Sequence, residues 1–240
     1  QFFSPELAQE LDIDPSLLEG REREITVLFS DIRGFSRLSE NMAPRDVCSL
    51  VRDVMEHLSS KIREHEGVVV DYVGDGLLAM WNAPREQADH AVLACRAALA
   101  MQESLPALNL IWEKRLGQKL ALGIGINTGP ALVGNIGSMR KFKYGPLGHS
   151  VNIASRVEGA TKTWGVSILM TEETQQRLGD AEFARRRLGT IRALGMVRPT
   201  VLFELHSDKI TQEWAEMQRT YEEALGLFER RQWAECCRAI

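Results

Sequence analysis

Cysteine is scarce in this chain, and the few present make no pattern. The four residues Cys48, Cys95, Cys236 and Cys237 show no Cys-x-x-Cys spacing and have no neighbouring His, which argues against a zinc site. A reducing cytoplasm is the simplest expected compartment. No apolar run approaches the roughly 20 residues needed to cross a bilayer, and no charged-then-apolar leader is present, so no membrane contact is expected within the chain. Basic excess is missing too. With 29 Lys and Arg against 33 Asp and Glu, the net charge is −4. Nonspecific nucleic-acid affinity needs clustered cations, so no nucleic-acid partner is expected. Any phosphate chemistry must be local.

What is present is an ordinary globular composition, 44% hydrophobic and 26% charged over 240 residues, which fits one large domain or one domain plus an appendage. The chain begins at Gln1 and stops in mid-pattern at "WAECCRAI". That is expected of a piece of a longer polypeptide, whose flanks have room for a sensor or membrane spans.

Residues 1–23 read as a connector feeding a first strand at "ITVLFSDI". From 43 to 64, Val47, Leu50, Val51, Val54, Leu58 and Ile62 recur at helical spacing and predict a helix with one buried face. A hairpin follows in "VVVDYVGDGLLAMW", then a second helix whose stripe is Ala88, Ala91, Val92, Cys95 and Ala98. "KLALGIGINTGPALVGNIG" reads as two runs about a Thr-Gly-Pro turn, and "SVNIASRVEGATK" as a short helix. Two more strands are expected at 166–170 and 200–205. The order βαββαβ with extra strands predicts an α+β, ferredoxin-like antiparallel sheet with helices on one face. Beyond Asp208, the stripe Trp214, Met217, Tyr221, Ala224, Leu225 and Phe228 predicts a C-terminal helix docking on its own domain or on another.

In that layout the end of the first strand lies beside the turn of the central hairpin, which places Asp31 next to Asp75. A turn Asp has a plain explanation in local turn chemistry. Two facing carboxylates, however, repel unless a hard divalent cation such as Mg²⁺ binds, taking its other ligands from phosphates and water. "DIRGFS" would supply main-chain N–H groups around Gly34, Phe35 and Ser36 as a phosphate cradle.

"ITVLFSDIRGFSRLSE", "DYVGDGLLAMW", "LGIGINTGPALVGNIGS" and "GHSVNIASRVE" together resemble the class III adenylate and guanylate cyclase catalytic domain, over residues 24–206. The resemblance implies two Mg²⁺ or Mn²⁺ ions held by Asp31, Asp75 and the backbone of Ile32. It implies that Asn152 and Arg156, supplied by the partner of a head-to-tail homodimer, act on the transition state. Asn152 and Arg156 are four apart and project from one helical face. An Arg fork suits developing charge on phosphoryl oxygens, and an Asn can orient the ribose.

The pattern departs from the family in the base region. Asp71 stands where a purine-reading Lys is usual, and Gly145 where an Asp or Thr is usual. Lys143 lies two residues from Gly145, and its plainer reading is a solvated charge beside Arg140 and Lys141. A Lys-Gly-Lys-like stretch that contacts triphosphate is replaced by "RALGMVR", in which Arg192 or Arg198 would substitute. His149 reads as a surface or capping residue. The expectation is an adenylate cyclase domain at 24–206, with a helical extension at 207–240. Its rivals are a guanylate cyclase acting on GTP and a catalytically weak nucleotide-binding or dimerising module.

Overall fold

The computed structural model describes residues 14–138, 141–179, 183–192, 199–207 and 209–239. After a 3-10 turn at Pro15–Glu19 come β1 (Arg21–Ile32), α1 (Phe35–Ser39) and α2 (Pro44–Glu64). The hairpin β2 (Val68–Val73) and β3 (Gly76–Trp81) leads into α3 (His90–Leu116) and β4 (Leu122–Ser138). Then follow β5 (Lys141–Leu147), α4 (His149–Trp164), β6 (Ile168–Thr171) and α5 (Glu172–Gln176). β7 (Ala184–Ile191), β8 (Thr200–Ser207), α6 (Gln212–Glu229) and α7 (Trp233–Ala239) complete the order.

The strands form one eight-stranded sheet in the order β2-β3-β1-β4-β6-β8-β7, with β5 paired to β4 off this path. The first four, β2-β3-β1-β4, are all antiparallel and realise the expected ferredoxin-like core. The β4–β6 pair is parallel. Among the described residues no helix is long and apolar enough to cross a membrane.

Alternation along β1 decides the layers. Leu28 and Ile32 join Leu77, Ala79, Trp81, Ile124 and Ile126 in a core closed by α2 and α3. Ile25 and Val27 point the other way, with Leu78, Met80, Ala131 and Ala154 of α4. The expectation of helices on one face is therefore corrected: α4 covers the second. The α2 stripe buries Leu50, Val54, Leu58 and Ile62 as its spacing requires. In α3 the small residues Ala91, Cys95 and Ala98 are buried, but Ala88 is exposed and precedes the helix.

Two further readings are corrected. Thr128-Gly129-Pro130 makes no turn, because β4 runs through it and pairs with Glu24–Thr26 of β1. The Pro130 carbonyl accepts from Ser150 Oγ at 2.8 Å on the edge away from β1, the side on which a strand residue's N–H also lies. Proline's missing donor therefore falls where no strand pairs. The second correction is β7, which was not anticipated. Its Arg185-Arg186-Arg187 run hides the alternation, and a register shift between Arg187 and Gly189 breaks it again.

The C-terminal helix α6 docks on this same sheet. Tyr221 Oη donates to the Leu188 carbonyl, Arg187 pairs with Glu229, and Trp214 stacks on His206 with ring centroids 4.0 Å apart.

Candidate active site

Asp31 is the second-last residue of β1 and Asp75 forms the β2–β3 turn with Gly74. Register brings them together. Ser30 pairs with Leu77 across the antiparallel β1–β3 ladder, so the next position, Asp31, falls level with Gly76 and beside Asp75. Gly74 takes the turn's left-handed conformation at φ 65. Gly76 is required by space: a Cβ there would sit 2.8 Å from the Ser30 carbonyl oxygen.

The pair carries the electrostatic signature of two carboxylates in one place. Burial, then the charge of Asp31 and a hydrogen bond shared with it, pushes the Asp75 carboxyl up to about 6, against the opposing pull of main-chain N–H groups at Asp75 and Ile32. Ile32 keeps its side chain in the core, so only its backbone faces this chemistry. Arg33 and Gly34 turn the chain into α1, with Gly34 left-handed at φ 67 and nothing within 4 Å of where a Cβ would stand. Gly34, Phe35 and Ser36 thus lie directly past the two aspartates.

Among the described residues no group of three or more His, Cys, Asp or Glu is arranged to hold a metal. The donors on offer are two carboxylates and backbone oxygen. That set fits Mg²⁺ or Mn²⁺, which take few protein ligands and complete their shell from phosphate and water.

α4 adds two residues that the sequence reading missed. Lys162 Nζ lies 3.4 Å from Asp31 Oδ2. Glu158, one turn earlier, has a buried Oε1 with no hydrogen-bond partner. Burial first, then the Asp31 charge, pushes its carboxyl up to about 7. The available signal was Gly123-x-Gly125 in β4. A Cβ at Gly125 would lie 2.1 Å from the Glu158 nitrogen and one at Gly123 would lie 2.7 Å from Glu158 Oε1, so these glycines admit the helix.

Asn152 and Arg156 share α4 but stand away from the aspartates. The start of α4 is tied to the far part of β4, where Asn127 Nδ2 donates to the Ser150 carbonyl at 2.9 Å. Asn127 pairs with Val27 of β1, whereas Gly123 pairs with Asp31. Asn152 is ten residues before Lys162, about 15 Å along the helix axis, and Arg156 about 9 Å. Asn152 is exposed, as is His149 at the helix start.

In the base region Lys143 and Asp71 form an ion pair between β5 and β2. Lys143 is therefore not the solvated charge expected. Gly145 packs against Val70, whose Cγ1 would be 2.7 Å from an added Cβ. Arg198 and the "ALGMVR" stretch lie outside the described residues; Arg192 is exposed.

The fold and the paired aspartates define a nucleotidyl cyclase domain. Residues 18–206 match the family model of the adenylate and guanylate cyclase catalytic domain, and the chain belongs to that family. Adenylate cyclase 1 of Rhizobium meliloti (strain 1021) is 34% identical over 184 residues, 76% of this chain and 27% of that protein. The chain spans 33% of the Anabaena cylindrica adenylate cyclase, a third or less of either relative. Among solved structures, the adenylyl cyclase CyaB from P. aeruginosa is 31% identical with a TM-score of 0.73, covering 81% of this chain and 98% of that one. The guanylyl cyclase Cya2 is 34% identical with a TM-score of 0.71, covering 78% and 94%.

Proposed function

We propose that this domain is an adenylate cyclase, converting ATP to 3′,5′-cyclic AMP and pyrophosphate in a cytoplasmic homodimer with shared sites. The observation that carries the reading is the meeting of Asp31 and Asp75, with the Asp75 carboxyl pushed up to about 6 by burial and its neighbour. In the reaction the ribose 3′-oxygen forms a bond to the α-phosphorus, the α–β anhydride bond breaks, and the hydroxyl proton leaves to solvent. Two divalent ions, when bound, would supply nucleophile activation and charge neutralisation. Asp31, Asp75 and the Ile32 backbone would hold them. The turn at Gly34, Phe35 and Ser36 receives phosphate oxygens, and Arg198 is proposed as a cation for the triphosphate.

Asn152 orients the ribose and Arg156 holds charge developing on the α-phosphate, each from the second chain. The distance along α4 supports this division, since Asn152 sits about 15 Å along the axis from the end that meets Asp31. Adenylate cyclases among the relatives favour ATP. One observation favours GTP instead: Asp71 offers a carboxylate to the N–H donors of guanine, with Lys143 beside it for O6. Incubating the chain with ATP and GTP separately, with Mn²⁺ and with Mg²⁺, and separating the products by chromatography tests both. Cyclic AMP from ATP is expected. Cyclic GMP alone would establish the second reading, and no pyrophosphate from either would leave a nucleotide-binding module.

A further inference from the structure

At the acidic end of β1 stands Lys162, a cation that the proposed reaction does not use. Lys162 Nζ is 3.4 Å from Asp31 Oδ2, and its side chain is 53% exposed, so the ammonium sits on a flexible stem with room to move. Arg33, the other cation near Glu158, is held in place by the main-chain carbonyls of Leu122 and Val166. Glu158 precedes Lys162 by four residues on α4, the spacing and order that favour a Glu-to-Lys pair on a helix. Its Oε1 is buried and takes no hydrogen bond. The ammonium is therefore engaged with Asp31, and the Glu158 carboxyl lies one helical turn away on the same helix.

We propose that Lys162 is a resident counter-ion that competes with the divalent cation for Asp31 and passes to Glu158 when Asp31 is taken, thereby setting metal affinity. The inference rests on the metal-binding reading of Asp31 and Asp75. An exposed ion pair is weak, so the ammonium yields to a doubly charged ion. It must also leave, because a positive charge a few ångströms from a divalent ion is repelled. Glu158 gives it somewhere to go. Metal binding at this site is then an ion exchange, weaker than two facing carboxylates alone would give.

The test is Mn²⁺ binding to the whole chain without nucleotide, followed by the paramagnetic resonance signal of free Mn²⁺. Lys162→Gln and Lys162→Met should each bind Mn²⁺ about 2- to 5-fold tighter than the wild type, and Lys162→Arg should bind like it. Glu158→Gln, which removes the landing place, should bind about 2-fold weaker. Asp31→Asn should abolish the specific binding. Should Asp31→Asn bind as well as the wild type, the metal reading itself falls, and the exchange with it. Should Asp31→Asn abolish binding while both neutral Lys162 variants bind no tighter than the wild type, only the exchange is overturned. Thermal melts establish that each variant is folded.

Discussion

Gly125→Ala tests the seat of α4 on the sheet. The added Cβ would lie 2.1 Å from the Glu158 nitrogen, 2.5 Å from the Ala154 carbonyl oxygen and 2.6 Å from the Glu158 Cα. Non-bonded carbon contacts settle at about 3.5 Å, so strand and helix must part by about 1 Å or more. All three atoms are backbone, and no rotamer change relieves the clash. Overpacking costs about 1–3 kcal/mol, and a main-chain clash belongs at the upper end. Alanine's smaller unfolded-state entropy returns roughly 0.4–1 kcal/mol, leaving a net loss of about 2 kcal/mol. Urea unfolding should show a lower midpoint with an unchanged slope. Because α4 carries Asn152, Arg156 and Lys162 together, a shift of about 1 Å should also reduce cyclase turnover by about 100-fold. Gly159→Ala is the control, on the same helix with nothing within 4 Å of its Cβ position, and it should be neutral or slightly stabilising. A Gly125→Ala protein with wild-type midpoint and turnover would refute the close seating of α4.

Further outcomes are expected. Asp31→Ala and Arg156→Ala chains should each be nearly inactive, the latter by about 10²- to 10³-fold, and mixing them should restore about a quarter of wild-type activity; a mixture that stays inactive while labelled subunits exchange rules out a shared site. Asp75→Ala should remove metal-dependent turnover yet leave the fold, read by circular dichroism alongside product analysis. Because the folded-state Asp75 carboxyl is raised from 3.8 to about 6, its stabilising contribution is full below the lower value and is lost as pH rises through the upper one. The metal-free chain should therefore lose melting temperature across that window, and Asp75→Asn should flatten the loss; an equal slope in the variant counts against the pairing with Asp31. Gly145→Asp should lower stability by about 1–2 kcal/mol through contact with Val70, with Val70→Ala restoring it in a urea titration.

The meeting of Asp31 and Asp75 was legible because strand alternation and a two-residue turn fix register locally, and register fixes which residues stand side by side. The Thr128-Gly129-Pro130 segment misled for the opposite reason. Its turn propensity is local, while the edge that tolerates a proline is set by α4 and by the gap between β5 and β6 on β4. β7 was hidden because Arg186 lies over the Tyr221 ring and pairs with Glu204, so a charged residue lines a packed face. Lys143 looked solvated because its partner Asp71 is remote in sequence. Glu158 and Lys162 announce a helix and nothing more until the direction of α4 along β4 is known. Asn152 and Arg156 were picked out by resemblance, since four-residue spacing alone is common to every helix.

A helix fastened along its length is a poor moving part. α4 is tied at its start by Asn127 and Ser150, and Gly123 and Gly125 let it lie against β4 without slack. Asn152 and Arg156 therefore travel with the sheet as one rigid body. If the reaction is divided between two such bodies, as proposed above, regulation would act on the rotation and spacing of whole subunits. In that arrangement the chain would be one jaw of a pair of pliers: its teeth are cut into the metal, and the grip would be governed at the hinge.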